Sequence, residues 1–340
     1  MIPSLFALAI GSAVQPTAAP TIDNSVTAIR TEYGDVLAAA DPGLTPATQF
    51  QAGSISKWAC SVAILRMVDS DRFTLDSTIG DVLPGYEGKG AATIRVRDLL
   101  ANRSGLADGL MPALREQGPE ALLMMDIGAL EAANMFAAGD PAAPRDSDYS
   151  YDLVNWIMVQ AILEHQSSQP IADYLADDLF GQQAANLADT FIASGIPDLN
   201  DAPAVEGDVM PVPGWLQCAG GMVTTPVDLI GFMYWVEQDA LSVDGVEALM
   251  EPTTWNEDGT AYTLGGSILI DAETDQRVFW LSGSNGAFKS RAAYNLWTGE
   301  AFAAMNAVDD AGALSRAVET WYWGEQLAEP IMPPPAPPGD

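Results

Sequence analysis

Histidine is nearly missing from this chain, with one residue, His165, in 340. Cysteine is almost as scarce: Cys60 and Cys218 stand alone and far apart. Zinc and related centres draw on closely spaced Cys and His, so no metal site and no cofactor is expected. A Ser-His-Asp triad would have to recruit His165, and "AILEHQ" reads as the exposed end of a helix. Positive charge is thin as well: 14 Lys plus Arg face 46 Asp plus Glu, for a formal net charge of -32. Nucleic acid and anionic membrane surfaces repel such a chain, so neither is expected as a partner. Long apolar runs are absent, and none reaches the roughly 20 residues of a membrane span. A phosphate cradle is also wanting, since Gly283 to Gly286 follows a strand but leads into no helix. The two cysteines leave two readings open, a Cys60 to Cys218 disulfide or a pair of buried thiols.

The chain has three parts by composition. Residues 1–22, opening "MIPSLFALAIGSAVQPTAAP", resemble a short secretory signal with a small-residue cleavage zone, although the usual opening Lys or Arg is lacking. They are read as a signal or a disordered N-terminus, which favours a periplasmic or secreted location over a cytoplasmic one. Residues 328–340 form a Pro-rich tail. Between them, 23–327 reads as one unit. "SVTAIRTEYGDVLAAAD" alternates about a turn at Tyr33 to Asp35, as a hairpin does. From Ser54 to about residue 240 the period becomes helical. Strands return over 261–307, with turns at "DAETDQ" and "NLWTGE", and 310–327 reads as a closing amphipathic helix. The expected fold is α+β: an antiparallel sheet built from both chain ends (about 23–60 and 245–327) with flanking helices and an inserted, mainly helical region (about 61–244).

The chemistry gathers in "AGSISKWACSVAILRMV". A helix turns once in 3.6 residues, so Ser54 and Lys57 share a face. A serine hydroxyl needs a base to take its proton, and a lysine held away from water can serve. The helix start supplies unpaired N–H groups and a positive dipole end for a developing oxyanion. By itself the pair could equally be a helix cap and a solvated lysine.

The wider stretch "FQAGSISKWACSVAILRMVDSDRFTLDSTIGDVLP" resembles the opening block of the serine beta-lactamase-like superfamily, which holds class C beta-lactamases, D-peptidases and family VIII esterases. "IRVRDLLANRSGLADG" is similar to the segment usually written as a leucine pair followed by His-Thr-Ser-Gly-Leu. "YDLVNWIMVQAILE" and "CAGGMVTTPVDLIGFM" resemble the tyrosine block and the Ala-Gly-Gly helix start, in the family's order. The resemblance implies a beta-lactamase/transpeptidase-like fold. It makes Ser54 the acylated nucleophile, Lys57 its base and Tyr151 the phenol that shuttles protons, with Asn155 matching the family's Asn and Tyr149 left as the alternative tyrosine. Leu281-Ser282-Gly283 falls where the family carries Lys-Thr-Gly or His-x-Gly. Ser284 and Ser54 would then lend backbone N–H groups to the oxyanion hole.

Two departures bear on substrate. Leu153 stands where penicillin-recognising enzymes carry Asn, and Leu281 replaces the Lys or His that helps to hold a carboxylate. Lys289 reads as a rim residue. Leu153, Asn155, Trp215, Trp280, Leu281 and Gly283 are the expected substrate contacts; of the Trp residues 156, 215, 280 and 297, read as core or cleft wall, Trp215 and Trp280 are assigned to the cleft. Asp146 and Asp148 could bind a metal but read as a solvated acidic loop. The preferred function is hydrolysis of uncharged acyl esters through an acyl-enzyme, with a small ester or peptide-like substrate as partner. A D-peptidase, carboxypeptidase or beta-lactamase, and a silent binding protein on the same scaffold, are the alternatives.

Overall fold

The two ends of the chain meet in one sheet. The computed structural model describes residues 18–144, 149–181, 187–256, 259–271 and 274–323. Ser25–Arg30 (β1) and Val36–Ala40 (β2) pair antiparallel through the turn at Tyr33 to Asp35. Phe50–Gln51 (β3) leads into Ile55–Asp69 (α1). There follow Ile79–Val82 (α2), Val96–Leu100 (α3), Leu110–Gln117 (α4), Pro119–Leu123 (α5), Ala129–Phe136 (α6), Leu153–Ser167 (α7) and Ile171–Leu175 (α8). The middle of the chain then supplies Phe191–Ile192 (β4), Gln217–Gly220 (α9), Met222–Thr224 (β5), Pro226–Trp235 (α10) and Val243–Met250 (α11). Thr254–Trp255 (β6), Thr260–Tyr262 (β7), Ser267–Ile270 (β8), Arg277–Asn285 (β9), Phe288–Asn295 (β10) and Ala301–Asn306 (β11) close the sheet, and Ala311–Trp323 (α12) ends the described chain.

The large sheet has the order β2-β1-β11-β10-β9-β8-β7-β6, so β1 lies beside β11 with Ser25 opposite Asn306. Strand side chains alternate between faces, and each face is covered. On one side α12 sets Leu314 and Val318 against Ile29, Val278 and Phe302. The other face shares the main core with α1, α7 and α10. Helices α1 and α7 are apolar around nearly their whole circumference and bury most of their residues, as central helices do.

The helical middle also holds strands. β4 and β5 pair with β3 in a second, three-stranded sheet, and the helical reading of this region missed both because strands of two or three residues carry too little alternation to be seen. Cys60 on α1 and Cys218 on α9 are joined by a disulfide with their Cα atoms 5.8 Å apart, so the reading of two separate thiols gives way to the bridge. Among the described residues no helix is long and apolar enough to cross a membrane. The leader reading falls mainly on residues 1–17, and the tail reading on 328–340, outside the described residues, as do Asp146 and Asp148.

Candidate active site

Residues 52–54 form the turn between β3 and α1, and three neighbours hold it. The Ala52 N–H donates to the Met222 carbonyl of β5 at 2.8 Å, and the Ser290 hydroxyl of β10 donates to the Ala52 carbonyl at 2.9 Å. Ser56 donates its hydroxyl to the Gly53 carbonyl at 2.7 Å. Gly53 has φ +56, and a Cβ there would lie 2.5 Å from the Ser284 nitrogen, so only glycine admits β9 this close. At Gly283 an added Cβ would overlap the Ala52 carbonyl. β8 ends opposite Trp280, and the rest of β9 runs past this turn instead. The Ser284 amide thus comes alongside the helix start that carries Ser54.

Ser54, half-buried at the N-cap of α1, accepts from the Lys57 Nζ at 3.0 Å and from the Tyr151 hydroxyl at 2.9 Å. Lys57 is 2% exposed. Its second acceptor is the Ala219 carbonyl of α9 at 2.8 Å, and the Tyr151 ring centroid lies 4.9 Å from Nζ. Hydrogen bonds and the π-face together offset the cost of hiding an ammonium from water. A proton leaving Ser54 has two acceptors within hydrogen-bond reach once either has lost its own.

Tyr151 is held by a buried polar network that sequence reasoning did not find. Asn102, with φ +53, accepts the Ser150 N–H on its carbonyl at 2.9 Å, one residue before Tyr151. Its side-chain Oδ1 accepts from Asn155 Nδ2 and Trp156 Nε1, each at 3.2 Å, while its Nδ2 donates to the Tyr262 hydroxyl at 2.7 Å. Ser104 donates to Asn155 Oδ1 at 2.5 Å. Tyr262 stands edge-on to Tyr151 at 6.5 Å and packs on Tyr149 at 4.9 Å between centroids. Burial first, then the neighbouring Tyr149 and Tyr151, pushes the Tyr262 hydroxyl well above its usual range. The Asn in "ANRSGL" was the available signal, since a polar residue in a segment bounded by buried leucines must find partners.

Several expected substrate contacts are corrected. Asn155 is buried with both ends of its amide engaged in the network, so it supports Tyr151 rather than meeting a ligand. Trp280 lies on the α12 face of the sheet, its ring 6.2 Å from that of Tyr322. Neighbours in a strand point to opposite faces, and Trp280 and Leu281 could not both face Ser54. Leu281 is buried in the main core, beside Trp58 against Gly266. Trp215 is buried against Phe136, with centroids 5.4 Å apart, and is core rather than cleft. Gly283 serves by lacking a side chain. Leu153 is half-buried at the start of α7, two residues from Tyr151. Trp156 is core, whereas Trp297 is 75% exposed on a turn. Lys289 donates to the Ser284 hydroxyl at 2.7 Å and to the Gly286 carbonyl at 2.8 Å, and pairs with Asp309 at 2.7 Å.

The family model described as Beta-lactamase matches residues 23–317. The chain belongs to the Beta-lactamase family. A D-aminopeptidase from Brucella canis is 26% identical over 292 residues, covering 80% of this chain and 52% of the relative. The chain therefore spans about half the length of the curated relatives it matches. Among solved structures, a D-stereospecific amidohydrolase from Streptomyces sp. superposes with a TM-score of 0.75 at 19% identity, covering 88% of this chain and 94% of the other. EstCE1, a hydrolase with promiscuous acyltransferase activity, gives 0.66 at 18% identity, covering 86% and 93%. Both share the fold of this Beta-lactamase family chain, an antiparallel sheet with helices on each face.

Proposed function

We propose that the protein hydrolyses small acyl substrates through an acyl-enzyme on Ser54. The carrying observation is Ser54 Oγ between Lys57 Nζ at 3.0 Å and the Tyr151 hydroxyl at 2.9 Å. As Oγ adds to the substrate carbonyl, its proton passes to Lys57 or Tyr151, and the carbonyl oxygen gathers negative charge at the Ser54 and Ser284 N–H groups. Tyr151 returns a proton to the leaving group as the C–O or C–N bond breaks. A water then adds to the acyl carbon, its proton taken along the same path, and Oγ leaves as the acid is released. Esters of uncharged acyl groups are the preferred substrates. Leu281 is buried in the core at the position where the family pattern has Lys or His, so it offers no cation to a carboxylate, and the Lys289 ammonium is engaged by Ser284, Gly286 and Asp309.

Amide hydrolysis is the second reading, favoured by the likeness to a D-aminopeptidase over 80% of the chain. The disulfide between α1 and α9 supports a working place in an oxidising compartment, in line with an exported protein. The test is kcat/KM on matched substrates: a neutral short-chain ester, its carboxylate-bearing analogue and a D-amino acid amide. The neutral ester should lead. A faster amide moves the assignment to an amidase, and a faster anionic ester refutes the argument from the missing cation. Ser54→Ala should abolish turnover of all three. Because Ser54 makes no side-chain cap bond, the variant should melt within a few degrees of the parent. Retained turnover in that variant ends the Ser54 assignment.

A further inference from the structure

Lys57 and Cys60 stand one helical turn apart on α1, and the partners of both are consecutive residues of α9. Cys60 is bonded to Cys218, and the Lys57 Nζ donates to the carbonyl of Ala219, the next residue, at 2.8 Å. The path from Lys57 along α1 to Cys60, across the sulfurs to Cys218 and Ala219, and back through the hydrogen bond to Nζ is a closed ring. Covalent bonds make all of it except that last link. Helix α9 is a single turn of four residues, too short to hold its own position. Its other anchors are hydrogen bonds: the Cys218 N–H to Gln160 Oε1 at 3.3 Å, and Gln217 Nε2 to the Ala193 carbonyl at 3.0 Å. Those anchors tie it to α7 and to the strand side; just past its end the Met222 N–H donates to Ser56 Oγ of α1 at 2.8 Å, and the bridge adds the covalent tie to α1.

We infer that the Cys60–Cys218 bridge is a positioning element of the reaction, fixing the Ala219 carbonyl so that the Lys57 amine is held on Ser54 Oγ. This rests on the acyl-enzyme reading above. Lys57 is 2% exposed, so water does not readily replace a carbonyl that drifts away. Four rotatable bonds would then let Nζ follow the carbonyl and leave the nucleophile, and small misplacements of this kind cost rate steeply. Both cysteines are 0% exposed, which keeps the bridge from external reductants in the folded protein and makes substitution the means of opening it.

The experiment compares the parent with Cys60→Ala/Cys218→Ala and with Cys60→Ser/Cys218→Ser, each checked for fold by circular dichroism at the assay temperature. On a neutral nitrophenyl ester, kcat should fall by about 10- to 100-fold while KM changes by less than about threefold. The pH profile of kcat should shift, and labelling of Ser54 by a phosphonate probe should slow in parallel. A merely structural bridge would lower the melting temperature and leave the pH profile of the folded fraction alone. Parent-like kcat and pH profile in either folded variant overturns the proposal. So does global unfolding of both variants, which would make the bridge a requirement of the fold. An inactive parent that the probe fails to label would instead sink the acyl-enzyme reading.

Discussion

Tyr149 and Tyr151 lie two residues apart, yet only one of their hydroxyls reaches Ser54. Tyr149 packs its ring on Tyr262, and burial, followed by the charges of Tyr151 and Asp152, pushes its hydroxyl far above the usual tyrosine range. A hydroxyl shifted in this direction is the poorer base at a given pH. Tyr151→Phe should lose about 100- to 10,000-fold in kcat, the span of a general acid-base group, while Tyr149→Phe loses a few-fold at most. Reversed losses in steady-state kinetics would displace Tyr151 from the mechanism. The amide of Ser284 is tested through the glycine that lets it approach: Gly53→Ala should cost about 100- to 1,000-fold in kcat, the loss of one oxyanion donor, with KM less affected. Unchanged kcat would remove Ser284 from the site. Ser54 and Lys57 could be paired from the sequence because three residues make one turn. Asn102 and Tyr262 could not, since their contacts join segments 160 residues apart.

At the scale of the element, α7 carries a carboxylate whose titration is open to measurement. Burial, only partly opposed by hydrogen bonds from Gln160 and the Ile171 N–H, holds the Glu164 carboxyl above its usual range. The folded state therefore binds this proton more tightly than the unfolded state does. The stability from Glu164 is fully present below the ordinary glutamate value and is lost as pH rises through the elevated one. Glu164→Gln should accordingly melt a degree or two above the parent at pH 8, with the gap closing as the buffer is taken down to about pH 4. A gap of constant size across that range would assign the effect to packing. Strand β9 shows what a sequence can and cannot say about an element. Its alternation marks it as a strand, but which parity faces the nucleophile depends on register with β10 and on where β8 stops, and so Trp280 was placed on the wrong face. The bridge was undecidable for a similar reason, because the approach of α1 to α9 is a matter of packing.

Taken whole, the molecule is a sheet in which strands from opposite ends of the sequence, β1 and β11, lie side by side. The hairpin strands and β8 to β11 were legible because each is long enough to show a strand pattern, and the two central helices because they are largely apolar; the two-residue β6 and the small sheet beside the nucleophile were not. Truncation after Leu296 removes β11, which lies between β1 and β10, and should give a chain with no cooperative melting transition. A truncated chain that melts cooperatively would show that the helical region folds by itself. The pairing of β1 with β11 has a further consequence for the time course of folding. A ribosome delivers β1 near the start and its partner only after almost every other element, so the hairpin β1–β2 must wait with one edge open throughout translation. Contact order of this kind makes folding slow and leaves strands available to neighbouring chains. Yield in a heterologous host should then be governed less by final stability than by how long nascent chains are kept apart.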